Sequence, residues 1–323
     1  MDTIKIPAPD FDLEKTLSSG QVFHWVAEGD GFYGLIGDLP VYVEQSNATL
    51  RVKVASAAGR CGSVHRRAAD ATSRDHWQDA NATIRHYFAL DHRLTDICRS
   101  FPDDPVMNAA ADYCRGLRII RQPKWECLAT FICSSMKQVA HIRQISHALR
   151  ERFGEPREIE HRILHTFPGA TGIARQSEKQ LRQCALGYRA KNLRATASLV
   201  AAREADLEQW SQLGDADLQK QLCALPGVGP KVANCVMLFA YERLSAFPID
   251  VWIERVLRER YFARKRKPTT ARLRAFSAKY FGDHGGYAQQ YLFHHARTGR
   301  RPEAPNPKHQ TPENNQSPSS KRR

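Results

Sequence analysis

The chain has 323 residues and a formal net charge of +14, with 48 Lys and Arg against 34 Asp and Glu. No apolar run approaches the roughly 20 residues that cross a bilayer, and Met1-Asp2-Thr3-Ile4-Lys5-Ile6-Pro7 lacks the apolar core of a signal peptide; a soluble protein of one large or two small domains, with no membrane partner, is expected. The positive field favours a polyanionic partner without saying which, and the eight cysteines, none spaced C-x-x-C, argue against a zinc ribbon or iron–sulfur loop and read as reduced, mostly buried thiols.

Residues 20 to 54 read as strands. Gln21-Val22-Phe23-His24-Trp25 is followed by a turn at Glu28-Gly29-Asp30-Gly31, then by Phe32-Tyr33-Gly34-Leu35-Ile36 and Val41-Tyr42-Val43. Thr49-Leu50-Arg51-Val52-Lys53-Val54 alternates apolar and charged, as a half-buried antiparallel strand does. Ala55 to Arg74 is rich in Ala, Ser, Gly and Arg without apolar periodicity, which predicts a poorly ordered linker.

From about Asp75 the period becomes helical. Trp77, Ile84, Tyr87, Phe88 and Leu90 suit one helix, and 123–132 suits the next, with Pro123 near its first turn. Val139, Ile142, Ile145, Leu149 and Phe153 predict a helix ending near Gly154. The chain to about Arg297 reads as helices with short loops, and the Pro-, Asn-, Gln- and Ser-rich stretch beyond it as disordered. The expected architecture is α+β: residues 1–100 form a small N-terminal antiparallel β-sheet domain with a linker helix, 101–300 a mainly α-helical domain, and 301–323 a disordered basic tail.

Leu225-Pro226-Gly227-Val228-Gly229-Pro230-Lys231 is the most informative string in the helical region. Leu218, Leu222 and Leu225 make one apolar stripe, and Val232, Cys235, Val236 and Phe239 make another. Between them Gly227 and Gly229 permit tight turning and close approach of a partner. Free amides of the hairpin and of the following helix are donors for phosphate, and Pro230 fits a first helical turn, where its missing N–H costs nothing. This is a helix–hairpin–helix over 215–241, a grip on a nucleic-acid backbone that carries no sequence information. Carbonyls of Cys223, Leu225 and Val228 are the positions for a monovalent cation. The competing reading is a plain helical turn with two glycines, for which the string is longer than necessary.

Lys231 stands at a helix N-terminus, where the macrodipole disfavours a cation, and a neutral amine is a nucleophile. Asp250, after Phe247-Pro248-Ile249, is expected to cap the helix carrying Ile253, Val256 and Leu257. A carboxylate so fixed can take a proton from Lys231 or favour the positive charge that develops on a sugar as a glycosidic bond breaks. Alone, each residue is more simply a solvated lysine and a cap; together, behind this hairpin, they describe chemistry.

The combination resembles the helix–hairpin–helix DNA glycosylase superfamily, and within it the 8-oxoguanine DNA glycosylases of the eukaryotic type, from about Phe11 to about Phe293. Leu17-Ser18-Ser19-Gly20-Gln21-Val22-Phe23-His24-Trp25 is similar to the family's S-G-Q-x-F-x-W stretch. Ile119-Ile120-Arg121-Gln122, Glu126-Cys127-Leu128 and Phe131-Ile132-Cys133-Ser134-Ser135 resemble its first long core helix. Leu186-Gly187-Tyr188-Arg189-Ala190 matches its L-G-Y-R-A string, and Tyr287-Ala288-Gln289 with Leu292-Phe293 matches its last helix. The resemblance implies a bifunctional glycosylase and abasic-site lyase acting on 8-oxoguanine in damaged duplex DNA, a monomer without a cofactor or catalytic metal. It would work where the DNA is: the cytoplasmic nucleoid of a prokaryote or the nucleus of a eukaryote. It implies that Lys231 attacks the sugar C1′ and forms a Schiff base before β-elimination, with Asp250 assisting. Gly20 would offer its carbonyl to the N7 hydrogen that 8-oxoguanine has and guanine lacks. Phe293 and Cys235 would sandwich the extruded base, and Gln289 would read its Watson–Crick edge. Tyr188, Arg189, Gly227 and Gly229 would meet DNA.

The sequence departs from the family at three places. Met136-Lys137-Gln138 replaces an asparagine triplet whose first member fills the hole left by the extruded base; Met136 is long enough to wedge into the stack. His141 stands where the family has an arginine to the estranged base, which predicts weaker preference for cytosine. Trp252 replaces a histidine two residues after the aspartate and can pack beside the DNA backbone. Two other readings remain: a glycosylase on this scaffold for another damaged base, and a non-catalytic helix–hairpin–helix DNA-binding protein.

Overall fold

The computed structural model describes residues 3–55, 79–135, 137–262 and 268–299. Strands β1 (Thr3–Pro7), β2 (Val26–Glu28), β3 (Gly31–Ile36), β4 (Leu39–Ser46) and β5 (Thr49–Val54) form one antiparallel sheet in the order β1-β5-β4-β3-β2. Period-two patterning sets its register: Ile6, Leu50, Val52, Val41 and Val43 are wholly buried on one face. That face packs on helix α1 (Leu13–Ser18) and on helix α2, described over residues 79–87, through Leu17, Ile84 and Phe88.

Three readings need correction. Gln21–Trp25 is not a strand; β2 begins at Val26. The segment is buried, but the Gln21 side chain ties it to Thr16 O at 3.0 Å, to Arg118 O at 2.8 Å and to the Ile120 amide at 2.8 Å, so side-chain bonds replace a ladder. Ile119–Gln122 is not helical, and α5 starts at Lys124, with Pro123 capping it. The helix read through Phe88 and Leu90 stops at 87, where the chain turns and Ala89 takes φ +49°. Trp77, the linker beyond Ala55 and the tail lie outside the described residues.

The helical part comprises α3 (Leu94–Arg99), α4 (Pro105–Tyr113), α5 (Lys124–Cys133), α6 (Val139–Phe153), α7 (Ala170–Ala174), α8 (Glu178–Leu181), α9 (Arg189–Ala201), α10 (Asp215–Ala224), α11 (Pro230–Ala240), α12 (Val251–Val256), α13 (Thr270–Phe281) and α14 (Gly285–Thr298). Helix α6 ends at Gly154, as its apolar spacing predicts. Between α6 and α7 a short hairpin, β6 (Pro156–Ile159) and β7 (Arg162–His165), interrupts the helices and packs Ile159 and Leu164 on Tyr33 and Tyr42 of the sheet.

A second core, centred on α5, α9, α11 and α14, belongs to the helices. Where sheet and helices meet, the buried Glu126 of α5 forms an ion pair with Arg150 of α6, and His24 Nδ1 lies 3.3 Å from Glu126 Oε1. Burial pushes the Glu126 carboxyl up, Arg150 opposing it, and burial holds His24 well below its ordinary value. Seven cysteines are described, all free thiols and five of them buried; Cys61 lies outside. Among the described residues no helix is long and apolar enough to cross a membrane.

Candidate active site

The hairpin between α10 and α11 is built as its spacing predicts. Gly227 adopts φ +81°, a conformation that favours glycine, and a Cβ there would stand 2.8 Å from Asn192 Cβ of α9. Thr196 of α9 donates to the Pro226 carbonyl at 2.9 Å, docking the turn. Gly229 differs from expectation. It caps α11 with φ −101°, which any residue adopts, and nothing among the described residues lies within 4 Å of a Cβ at that position. Its lack of a side chain leaves the helix N-terminus open for close approach. Of the carbonyls named for a cation, that of Leu225 already accepts the Val228 amide at 3.1 Å.

Lys231 follows in the first turn of α11. Its Nζ lies 3.3 Å from Ser134 Oγ and 5.4 Å from the centroid of the Phe131 ring, both contributed by the end of α5. Asp250 caps α12: its Oδ1 accepts the Trp252 amide at 3.0 Å and the Ile253 amide at 2.9 Å. Burial raises the Asp250 carboxyl above its ordinary value, while these amides and Lys231 pull it down. Cys235, one turn after Lys231, is buried, which raises its thiol; Lys231 lowers it and Asp250 raises it. Lysine, thiol and carboxylate thus share one electrostatic neighbourhood.

Gly20 and Phe293 also come together. Gly20 has φ +85°, and a Cβ on it would meet Phe293 Cε1 at 3.1 Å and Val139 Cγ2 at 3.4 Å. One turn earlier on α14, Gln289 is buried, and its Oε1 has no hydrogen-bond partner among the described residues. Such an acceptor is costly to leave unmet, so it points to a partner supplied from outside the chain. The Phe131 ring links the halves: it packs edge-on to Phe23, three residues past Gly20, and lies beneath Lys231.

Tyr188 is 58% exposed, with the Arg189 guanidinium 4.4 Å from its ring centroid. Arg189 itself is buried and donates through Nε to Ser135 O at 2.8 Å and through Nη1 to Leu186 O at 3.3 Å. Three of its five N–H donors meet the protein's own carbonyls. His141 is exposed in the first turn of α6, and Trp252 is half-buried with Arg255 over its ring at 5.5 Å. Met136 lies outside the described residues. Ser134, Phe131 and Arg297 were not singled out by sequence reasoning; the first two sat unassigned in a string already noticed, and Arg297 lies past the last one.

A sheet domain joined to helices that carry a glycine hairpin, a lysine and a capping aspartate is the plan of a helix–hairpin–helix DNA glycosylase. Comparison narrows the class. Residues 3–128 match the model of the 8-oxoguanine DNA glycosylase N-terminal domain, and 129–281 that of the HhH-GPD superfamily base excision DNA repair proteins. The N-glycosylase/DNA lyase OGG1 of Arabidopsis thaliana is 30% identical over 302 residues, 90% of this chain and 78% of that protein. The solved structure of MBOgg1 in complex with low affinity DNA ligand has a TM-score of 0.80 at 31% identity, covering 91% of this chain and 95% of that one. The Clostridium acetobutylicum 8-oxoguanine glycosylase/lyase, in complex with dsDNA containing cytosine opposite to 8-oxoG, has a TM-score of 0.78 at 27% identity, covering 91% and 97%. The chain belongs to the 8-oxoguanine DNA glycosylase family, and is an enzyme of the N-glycosylase/DNA lyase class.

Proposed function

We propose that this protein, as a monomer, removes 8-oxoguanine from duplex DNA and then nicks the strand at the resulting abasic site. The observation that carries the reading is the buried, unpartnered Gln289 Oε1 one helical turn from the Phe293–Gly20 wall, a built acceptor for the edge of an extruded base. The Gly20 carbonyl accepts the N7 hydrogen of 8-oxoguanine, whereas guanine would bring two acceptors face to face. Cys235 and Phe293 hold the base between them.

Lys231 supplies the nucleophile. Its proton passes to Asp250, whose burial raises its affinity for one. Nζ then bonds to C1′ as the C1′–N9 bond breaks, the electron pair leaving with the base, which takes up a proton. Opening of the sugar gives a Schiff base; loss of a C2′ proton expels the 3′ phosphate oxygen, and water releases the lysine. As that proton passes on from Asp250 to the departing base, Asp250 is again a carboxylate and favours the positive charge carried by the sugar and its Schiff base. Amides at Gly229 and beyond hold backbone phosphate, and carbonyls of Cys223, Leu225 and Val228 can bind a monovalent cation that takes no part in these steps.

The test is to incubate the enzyme with duplexes carrying 8-oxoguanine or an alkylated adenine and to identify the released base by mass spectrometry. Release of 8-oxoguanine is expected. Release of the alkylated base alone would move the substrate to another lesion on the same scaffold, and intact DNA with both, bound but uncut, would favour a non-catalytic binder.

A further inference from the structure

Helix α14 presents Gln290, Phe293 and Arg297 on one face, by their i, i+3, i+7 spacing. Two of the three hold consecutive carbonyls of the turn leading to Gly20. Gln290 Nε2 donates to Ser19 O at 3.0 Å, and Arg297 Nη2 donates to Ser18 O at 2.6 Å. The Arg297 guanidinium also lies 5.4 Å from the centroid of the Phe293 ring. Burial and Arg143 oppose the charge on Arg297, while Tyr113 and Asp250 favour it.

We propose that Arg297 is a positioning residue for the extruded base: it ties the Ser18–Gly20 turn to α14 and backs the Phe293 ring, fixing together the two walls that receive the base. The inference rests on the base pocket described above. Arg297 touches neither the sugar nor the lysine. It covers one face of Phe293, and the base takes the other. A planar, permanently charged fork suits both duties, since one edge donates to a carbonyl while the plane stacks on a ring. A displaced turn would carry the Gly20 carbonyl away from the N7 hydrogen, and a loosened ring would let the base tilt; either costs excision of a base more than strand cleavage at a site that has none.

The experiment compares single-turnover 8-oxoguanine excision with strand cleavage at a bare abasic site, in wild type, Arg297→Met and Arg297→Lys. Methionine keeps apolar length without donors, so the ratio of excision to abasic cleavage should fall about 10- to 100-fold, the loss expected for one charge-assisted hydrogen bond. Lysine keeps one donor without the plane and should recover part of the loss. An unchanged ratio, with both rates lowered equally or neither lowered, would overturn the proposal, because a purely structural role moves both reactions alike. Should Arg297→Met fail to fold, Gln290→Met releases the neighbouring carbonyl and must lower the same ratio. A wild type that cleaves abasic sites without excising 8-oxoguanine would instead count against the substrate assignment on which the proposal stands.

Discussion

Gly20 and Phe293, near opposite ends of the chain, stand so close that a single carbon added to the glycine would lie 3.1 Å from the phenylalanine Cε1. The glycine is held at φ +85° besides, where an L side chain is strained by about 1–2 kcal/mol. Gly20→Ala should therefore fold with reduced stability and narrow the space for a base. The ratio of 8-oxoguanine excision to abasic-site cleavage should drop at least about tenfold, given the displaced carbonyl acceptor. An alanine variant with the wild-type ratio would remove Gly20 from the pocket.

Asp250 is expected to trade stability for chemistry. Burial raises its carboxyl, so the folded protein holds that proton more tightly than the unfolded chain. The contribution to stability is present in full at low pH and is lost as pH rises through the raised value; at neutral pH the ionised group is a liability. Asparagine caps a helix as well as aspartate does. Asp250→Asn should thus melt higher than wild type at pH 7 while excising at least about 100-fold more slowly. In wild type, excision should fade on acidification at a pH above the ordinary carboxylate range. An asparagine variant that melts lower at pH 7 would contradict this account.

The two hairpin glycines should separate folding from binding. Gly227→Ala meets both a left-handed backbone and Asn192 Cβ at 2.8 Å, and should lose more than about 1 kcal/mol in denaturant titration. Gly229→Ala has open space and an ordinary φ, so its stability should change by less than about 1 kcal/mol, the scale of a cap preference. Its added methyl group would stand where the proposed phosphate contact is made, and affinity for an abasic-site duplex should fall. Undiminished affinity would mean the open face of Gly229 does not meet DNA.

Much of this site is legible in the sequence because it is determined locally. A hairpin between two apolar stripes and an aspartate before a helix need only neighbours within a few residues, and the caps at Gly229 and Asp250 follow. The proposed base pocket is legible only through family resemblance, since Gly20 and Phe293 meet through tertiary packing. Strand β1 is hard to read because its partner β5 lies some 45 residues away and nothing local fixes their pairing, Thr3 with Lys53 through Pro7 with Thr49. The four-residue strands β6 and β7 are too short for a period to emerge. Gln21–Trp25 has strand-like residues, yet Gln21 finds partners in Thr16, Arg118 and Ile120 that no pattern announces.

Opposite-base preference should follow the departures at 136 and 141. His141 is exposed at the start of α6, and a single imidazole cannot offer the paired donors of a guanidinium to one base edge. Wild type should excise 8-oxoguanine opposite all four bases with modest differences. The double variant Met136→Asn, His141→Arg should widen the preference for cytosine by about tenfold, one good polar contact. Equal rate ratios across the four duplexes in both proteins would refute the assignment.

Borohydride trapping on a duplex with one 8-oxoguanine opposite cytosine, with wild type and Lys231→Gln side by side, addresses the central claim most directly. The amine on α11, 3.3 Å from Ser134 Oγ and within the electrostatic reach of Asp250, predicts a covalent protein–DNA adduct with wild type and none with the glutamine variant, both proteins binding the duplex comparably. An adduct that persists in Lys231→Gln, or base release by wild type with no adduct at all, would contradict it.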